Sequence, residues 1–348
     1  MLSEFSLIER FFARRPQASR HATLGIGDDC ALLAPPKGET FAISTDMLVE
    51  GRHFLADVEP HALGHKALAV NLSDLAAMGA RPLAFTLALA LPEARASWLE
   101  AFSNGLFELA ERFGCELIGG DTTAGPLNLC LTVFGSVPRQ QALRRDSAAA
   151  GDDLWVSGTL GDARAGLAVL RGEWQIAPDD AATFRRALER PEPRIELGLA
   201  LRGLAHAALD VSDGLAGDLR HILARSNLSA TVDVDAVPRS AALRRLPLAL
   251  QRQATLAGGD DYELCFTAPV TARATLDTLA QQIGVPLTRI GTIHAIAPDE
   301  AANPANNANT IGTIRAPKIT AQAKVRWTDA TGTPLTLNLQ GFDHFHAD

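Results

Sequence analysis

Lysine is scarce in this chain of 348 residues, and arginine supplies most of the positive charge. Lys and Arg together number 32 against 40 Asp and Glu, so the formal net charge is −8. Proteins that bind nucleic acid through its phosphates carry clusters of basic residues. The acidic balance therefore predicts that nucleic acid is not a partner.

Cysteine is also rare, and the sequence has neither a Cys-x-x-Cys pair nor a long apolar run. We interpret Cys30, Cys115, Cys130 and Cys265 as reduced thiols, which predicts a cytoplasmic location. The longest apolar segment, near Leu83–Leu91, is far shorter than the ~20 residues that cross a bilayer. The first residues, MLSEFSLIERFFARRP, have the pattern of an amphipathic helix rather than a signal peptide. We therefore expect no membrane partner.

Common motifs of nucleotide and acyl chemistry are missing as well. The sequence contains no G-x-x-x-x-G-K-[ST] loop, no protein-kinase H-R-D and D-F-G pair, and no G-x-S-x-G elbow. If the protein handles polyphosphate, bound cations must neutralise the phosphate charge that lysine neutralises elsewhere.

The length favours two domains, and strands that alternate with helices indicate an α/β or α+β fold. Helices are predicted at Ser3–Arg15, His61–Met78, Ala94–Phe113, Asp162–Leu170, Arg194–His206 and Leu215–Ser226. Strands are predicted at Thr40–Ser44, Leu83–Leu91, Asn128–Val137, Leu154–Ser157 and Glu263–Thr267, together with a short strand running into Gly119-Gly120-Asp121 and one ending at Asp210. Small polar residues over Ser147–Asp153 place the boundary between domains of residues 1–148 and 149–348. The Ala- and Asn-rich stretch Ala295–Thr310 is typical of a surface loop or insertion.

What the sequence has in quantity is aspartate beside glycine or in short turns. The segments are Gly27-Asp28-Asp29, Ser44-Thr45-Asp46, Ser73-Asp74, Gly119-Gly120-Asp121, Asp210-Val211-Ser212-Asp213-Gly214 and Gly258-Gly259-Asp260-Asp261. Several follow predicted strands, where the ligand sites of open sheets collect. Aspartate offers the hard oxygen ligands that Mg²⁺ takes, and glycine lets a phosphate approach the backbone. Turn formation explains any one segment equally well, but six together favour a site for several Mg²⁺ ions. A Gly-Gly-Asp element occurs in each half, either as a trace of two related halves or by coincidence.

Asp74 is the most informative of these residues. On the helix predicted over His61–Met78 it falls on the same face as Ala67 and Val70, which is the apolar face. A carboxylate that points inward needs a cation or several hydrogen-bond donors. A metal ion is the interpretation that we favour, and a backbone hydrogen bond or a salt bridge with Arg81 is the alternative.

Three residues outside these segments are candidates for phosphate contacts. His53 could meet a substrate phosphate or ring, although a lone histidine is more often structural. Arg145 could pair with a nucleotide phosphate in the bidentate manner that arginine favours. We assign its neighbour Arg144 to a solvated charged loop.

Taken together, the motifs resemble the bacterial thiamine-monophosphate kinase family, within the aminoimidazole-ribonucleotide-synthetase-like superfamily. The matching stretches are SEFSLIERFF, GIGDDCALL, AISTDMLVEGRHF, KALAVNLSDLAAMGARP, LIGGDTT, DVSDGLAGDL, GGDDYELCFT and the terminal GFDHF. They begin at residue 3 and end close to the last residue, so the resemblance covers nearly the whole chain.

This resemblance implies a two-domain fold with an N-terminal sheet domain that pairs in a homodimer and a C-terminal α/β domain. ATP and thiamine monophosphate would meet in the cleft between the domains. The implied reaction is an in-line transfer of a phosphoryl group from ATP to thiamine monophosphate, assisted by Mg²⁺ and without a phosphoenzyme. Its products are ADP and thiamine diphosphate.

The resemblance also implies roles for individual residues. Those implied to hold Mg²⁺ are Asp28, Asp29, Ser44, Thr45, Asp46, Asp74, Asp121, Asp210 and Asp213, and the four assigned to catalysis are Asp46, Asp74, Asp121 and Asp213. Those implied to contact ATP are Gly120, Asp121, Arg145 and Ser212. Those implied to hold the thiamine substrate are His53, Asp260 and Phe342.

The chain departs from the family pattern near the substrate. The family usually has glutamate where this sequence has Asp260, and the shorter side chain reaches less far toward a ligand. Phe342 stands where a tyrosine is common, which keeps ring stacking and removes a hydroxyl. The region Ala295–Lys324 is also longer than usual.

Two other functions remain as alternatives. Another ATP-using enzyme of the superfamily, such as aminoimidazole ribonucleotide synthetase or selenophosphate synthetase, would share the scaffold. The selenide enzyme typically has a reactive Cys or selenocysteine near its N-terminus, whereas residues 1–24 here contain no cysteine. A non-catalytic sensor of nucleotide or thiamine phosphate is the second alternative, although binding alone would not need so many carboxylates.

Overall fold

The computed structural model describes residues 4–13, 21–296, 324–337 and 339. Its helices are α1 (Glu4–Leu7, followed by a π-helical turn at Ile8–Phe12), α2 (Pro60–Ala77), α3 (Ala96–Phe113), α4 (Asp162–Leu170), α5 (Pro178–Glu189), α6 (Ile195–Leu201), α7 (Leu215–Ser226), α8 (Leu248–Ala257) and α9 (Arg273–Ile283). Within the described ranges, every helix is too short or too polar to cross a membrane.

The first half of the chain forms a sheet that we call the first sheet. It follows a short hairpin of β1 (Ala22–Leu24) and β2 (Leu32–Leu33). Its strands are β3 (Glu39–Val49), β4 (Arg81–Leu91), β5 (Glu116–Ala124) and β6 (Asn128–Pro138), in the order β3-β6-β4-β5. The β4–β5 pair is parallel and the other two pairs are antiparallel.

Helix α2 is the central helix of the molecule. Pro60 occupies its first turn, and the Glu59 carboxylate accepts the backbone N–H groups of His61 and Ala62, each at 2.9 Å. The helix packs on the first sheet and α3, and it also touches α6 and, in the second half, the strand that ends at Asp210. Its side chains are therefore buried on nearly all sides, rather than on the one apolar face that the sequence pattern predicted.

The second half forms a larger sheet, the second sheet. Its strands are β7 (Asp153–Ser157), β8 (Ala207–Asp210), β9 (Leu228–Asp233), β10 (Leu264–Ala268), β11 (Leu287–Ala295) and β12 (Val325–Thr328), in the order β12-β9-β11-β7-β10-β8. Only the β12–β9 pair is parallel among these described strands. A buried core including Val156, Leu209 and Leu219 lies between this sheet and α7.

The mixed α/β character predicted from the sequence is confirmed. The first sheet ends at Pro138 and the second begins at Asp153, and the boundary that we predicted at residue 148 lies in this interval. The helix predicted over Arg194–His206 is shorter than expected, because α6 ends at Leu201. The described helices and strands that the sequence did not predict are α5, α8, α9, β1, β2, β9, β11 and β12.

Candidate active site

The first sheet has one face covered by α2 and α3 and one face that these helices leave open. Strand alternation places Ser44 and Asp46 on the covered face, because Leu131, directly across the ladder from Asp46, is fully buried. Thr45 points to the opposite face, where its hydroxyl oxygen lies 2.8 Å from that of Thr132. The Thr45 side chain is therefore directed away from the other two.

Three aspartates from β3, α2 and β8 approach one another beneath the covered face. The Ser44 hydroxyl donates a short hydrogen bond to Asp74, and the Ser73 hydroxyl donates to Asp210 Oδ2 at 2.7 Å. The charges of Asp74 and Asp210 both act on Asp46. We call Asp46, Asp74 and Asp210 the carboxylate cluster, and it draws its members from both halves of the chain.

The carboxylate cluster is electrostatically unfavourable on its own. Burial, followed by repulsion from Asp74 and Asp210, raises the pKa of Asp46 to about 7. Burial and then Asp74 raise the pKa of Asp210 to about 6. Burial also raises the pKa of Asp74, while the hydrogen bond from Ser44 and the charge of Arg145 act in the opposite direction. Positive charge brought to this place would relieve the repulsion.

Ser212 and Asp213 follow β8 in a turn that Asp218 holds in place. Asp218 lies in the first turn of α7 and accepts the backbone N–H groups of Ser212 at 3.1 Å and Asp213 at 3.0 Å. Burial and then the charge of Asp213 raise the pKa of Asp218 to about 8. Asp218 thus fixes the turn that carries the two candidate site residues.

The segment around Gly259 packs against the same turn. The backbone N–H of Asp260 donates to the Ser212 carbonyl and that of Tyr262 to the Val211 carbonyl, both at 2.8 Å. A Cβ on Gly259 would lie 2.3 Å from the Ser212 carbonyl oxygen, so this approach requires glycine. The two aspartate segments of the second half therefore form one structural unit.

A cavity lies between the two halves of the chain. The loop over residues 51–58 and Lys66 line it from the first half, and α4, α5 and Asp260 line it from the second. His53 accepts the backbone N–H of Val49 through Nδ1 at 3.0 Å, so the proton of its neutral ring is on Nε2. His53 and Asp260, both predicted to hold the substrate, thus line the same cavity.

Tyr262 connects this cavity with the carboxylate cluster. Its hydroxyl donates to Asp260 Oδ1 at 2.9 Å. Burial raises the pKa of Tyr262 well above its ordinary value, and the charges of Asp260, Asp210 and Asp46 raise it further. The charges of the cavity residue Asp260 and of the cluster residues Asp46 and Asp210 therefore all act on Tyr262.

Other candidate residues lie on the exposed side of the first sheet. Asp121 stands on β5 in the row of the open face that also contains Met47, and it is exposed. Gly120 has a φ of 149°, and a Cβ there would lie 1.9 Å from the Leu87 carbonyl oxygen. Asp28 and Asp29 are exposed on the turn between β1 and β2. The structure does not bring these residues into contact with the carboxylate cluster within this single chain.

The two adjacent arginines differ in their surroundings. Arg144 pairs with Asp146 and is 61% exposed, as expected for a solvated loop. Arg145 lies close enough to the cluster for its charge to lower the pKa of Asp74 and Asp210. The salt bridge considered between Asp74 and Arg81 does not form in the described part of the chain, where Ser44 is the hydrogen-bond partner of Asp74. Phe342 lies outside the described residues.

The donor set around the cluster fits Mg²⁺. Within the described residues, no three His, Cys, Asp or Glu side chains already form a closed metal-binding group. Magnesium usually keeps several waters and takes one or two carboxylates together with phosphate oxygens of the substrate. Carboxylates that repel one another beside a cavity suit this open mode of binding.

Comparison with known proteins identifies the family of this chain. The model for "AIR synthase related protein, N-terminal domain" matches residues 27–137, and that for the C-terminal domain matches residues 149–296. A thiamine-monophosphate kinase of Salmonella typhimurium strain LT2 is 47% identical over 345 residues, which cover 98% of each chain. The chain belongs to the thiamine-monophosphate kinase family.

Solved structures of thiamine-monophosphate kinases have the same fold. The enzyme of Stenotrophomonas maltophilia K279a is 52% identical, with a TM-score of 0.79 over 84% of this chain and 95% of that chain. AaThiL, solved in complex with AMPPCP and TMP, is 32% identical, with a TM-score of 0.66 over 75% of this chain and 83% of that one.

Sequence reasoning missed several residues of the site. Lys66, Tyr262 and Asp218 lie in stretches that resemble thiamine-monophosphate kinases, but we assigned no role to them. A signal for Lys66 was available, since it is a single cation within the apolar run of α2. Ser73, which donates to Asp210, belongs to the selected segment Ser73-Asp74, but we assigned no role to it.

Proposed function

We propose that this protein transfers a phosphoryl group from ATP to thiamine monophosphate, giving ADP and thiamine diphosphate. Family membership over 98% of the chain supports this reaction, and so does the AaThiL complex with an ATP analogue and TMP. The observation that carries the proposal is a carboxylate cluster built from both halves of the chain, beside a cavity that contains His53 and Asp260.

Several Mg²⁺ ions are part of the proposal. The residues that would hold them are Asp28, Asp29, Ser44, Thr45, Asp46, Asp74, Asp121, Asp210 and Asp213. Within this single chain, the side chains of Asp28, Asp29, Thr45 and Asp121 do not contact the carboxylate cluster. Bound Mg²⁺ supplies neutralisation of two anionic phosphates that otherwise repel each other. The chain's own part is to hold the reactants in line and to fix the carboxylates through Ser44 and Ser73. A strong general base is not needed, because the acceptor phosphate oxygen is already an anion near neutral pH.

We assign the binding of the two substrates to different groups. Arg145, with Gly120, Asp121 and Ser212, is proposed to hold the nucleotide. Arg145 is supported by its position near Asp74 and Asp210, where a guanidinium can meet phosphate and metal together. The thiamine substrate is proposed to occupy the cavity of His53 and Asp260, with Phe342 as a further contact.

The proposal also includes the domain division, the oligomeric state and the cellular location. We keep the division into domains of residues 1–148 and 149–348, since the two family models meet between 137 and 149. A homodimer is proposed through the open face of the first sheet, where Ile43 is 58% and Met47 is 54% exposed. A cytoplasmic location fits four free cysteines, of which Cys115 and Cys265 are buried.

The test uses purified protein with Mg-ATP. Formation of thiamine diphosphate is measured by chromatography, and ADP is measured with and without thiamine monophosphate. The proposed kinase makes both products in equal amounts and only when the acceptor is present. ADP formation that is independent of the acceptor would indicate different chemistry, and binding without any turnover would indicate a sensor.

A further inference from the structure

Lys66 is a buried lysine, which is rare in folded proteins. It lies on α2 among apolar residues and is only 3% exposed. A buried ammonium is costly unless hydrogen-bond acceptors surround it. Its side chain lines the cavity that also contains His53 and Asp260.

Lys66 contacts both candidate substrate residues. Its Nζ donates to Asp260 Oδ2 at 3.1 Å and lies 3.4 Å from the His53 carbonyl oxygen. His53 belongs to the loop before α2, whereas Asp260 belongs to the second half of the chain. One ammonium group therefore joins the two sides of the cavity.

The Asp260 carboxylate is held from two directions. Tyr262 donates to Oδ1 at 2.9 Å while Lys66 donates to Oδ2. Asp260 also has a φ of 66°, a left-handed conformation that non-glycine residues seldom adopt. Such a backbone persists where its surroundings impose it, and the two donors are part of those surroundings. A carboxylate oxygen accepts more than one hydrogen bond, so each oxygen keeps capacity for a donor on the ligand.

We propose that Lys66 is a positioning residue that sets Asp260 and His53 at the distance required for the thiamine substrate. This inference rests on the proposed function and deepens it. Lys66 acts through Asp260 rather than on the transferred phosphoryl group. Lys66 is buried while the Asp260 side chain is 31% exposed, and ion pairs of this kind contribute little net stability, so the pair is better explained by geometry than by stabilisation.

The experiment compares Lys66→Met with Lys37→Met. Both variants remove one lysine charge, but Lys37 is exposed on the turn between β2 and β3. Lys66→Met is expected to raise the KM for thiamine monophosphate by ~10-fold or more, with the KM for ATP changed less than about 2-fold. Calorimetric binding of thiamine monophosphate without ATP should weaken by the same factor. Lys37→Met should match the wild type.

A double-mutant cycle tests the route of the effect. If Lys66 acts through Asp260, Lys66→Met combined with Asp260→Asn should lose no more affinity than Asp260→Asn alone. An additive loss, an unchanged KM in Lys66→Met, or an equal rise of both KM values with a lower melting temperature would each overturn the proposal. If Lys66→Met does not fold, Lys66→Gln replaces it. Failure of both to fold would show a structural role and also overturn the proposal.

The wild type separates this inference from the proposed function. A wild-type protein that neither binds nor phosphorylates thiamine monophosphate refutes the function before any variant is made. An active wild type whose Lys66 variants keep its KM refutes only the role of Lys66.

Discussion

The Ser73 hydroxyl donates to Asp210 Oδ2 at 2.7 Å, and this bond joins the central helix of the first half to the end of β8 in the second. Both groups are buried, so the contact involves no competition from solvent. Hydrogen bonds to a carboxylate are among the stronger ones in proteins. The relative position of the two halves is therefore fixed at the point where the carboxylates gather.

Replacing Asp74 should lower the activity without lowering the stability of the metal-free protein. In Asp74→Asn the side-chain oxygen can still accept the Ser44 hydroxyl, but the negative charge is lost. We expect kcat to fall by ~100-fold or more, equal to about 2.7 kcal/mol of transition-state stabilisation. The melting temperature of the metal-free protein should stay equal or rise, because burial already disfavours the charge of Asp74. Steady-state kinetics and thermal unfolding measure the two effects.

Asp277→Asn provides the matched control for Asp74→Asn. Asp277 is exposed on α9, so removing its charge should change neither kcat nor the melting temperature. An Asp74→Asn enzyme with full activity would count heavily against the assignment of this residue to a metal ion.

The metal-free protein should lose stability as the pH rises from about 4 to about 7. The pKa of Asp46 is about 7 and that of Asp210 about 6 in the folded chain, against 3.8 for the unfolded reference. Between these values the folded state binds more protons than the unfolded state, so the free energy of unfolding falls with rising pH. The contribution is complete below the unfolded pKa and is lost as the pH passes the folded pKa.

Added Mg²⁺ should reverse this loss of stability with rising pH. Cation binding requires the ionised carboxylates, so added Mg²⁺ should stabilise the protein more at about pH 7.5 than at about pH 5.5. Urea unfolding with EDTA and with Mg²⁺ at both pH values measures the difference. The variant Asp46→Asn should flatten the pH dependence. Equal Mg²⁺ effects at the two pH values would contradict the assigned role of the cluster.

The sequence suggested many candidate residues of the site, but it missed Lys66, Tyr262 and Asp218 and did not predict how the candidates are arranged. The segment Ser44-Thr45-Asp46 was selected as a whole, and the period of a strand separates Thr45 from its neighbours. Tertiary packing decides which of the two faces α2 covers, and therefore which of these side chains lie at the carboxylate cluster. Similarly, the prediction of an inward-facing Asp74 depended on an apolar face, yet α2 is covered on nearly all sides. Its half-buried position results from contact with β3.

Several of the elements that the sequence did not predict are short or carry many polar residues. Strand β9, LSATVD, alternates apolar and polar residues, but it is short and comes directly after α7, so we did not separate it from that helix. Helix α5, PDDAATFRRALE, carries five charged residues, and Phe184 and Leu188 are the large apolar side chains that it buries. Local propensity cannot decide such segments, because packing against other elements supplies most of their stability.

Arg145 and Arg144 form a natural pair of variants. Arg145→Met removes the guanidinium whose charge acts on Asp74 and Asp210, and we expect the KM for ATP to rise by ~10-fold or more. Arg144→Met removes the same charge at the adjacent, solvated position that pairs with Asp146, and it should leave the KM unchanged. Equal effects of the two substitutions would show a general influence of surface charge instead of a nucleotide contact.

A charged residue on the open face of the first sheet should disrupt the proposed homodimer. Met47 is 54% exposed, and Ile43, four residues earlier on the same face, is 58% exposed, as expected for a surface that pairs with a second copy. Met47→Glu would place a charge in such an interface and should convert a dimer to a monomer in light scattering after gel filtration. Leu248→Glu is the control, because Leu248 is similarly exposed at 50% but lies on α8. A wild type that is monomeric at all concentrations, or a Met47→Glu variant that remains dimeric, would exclude this face as the interface.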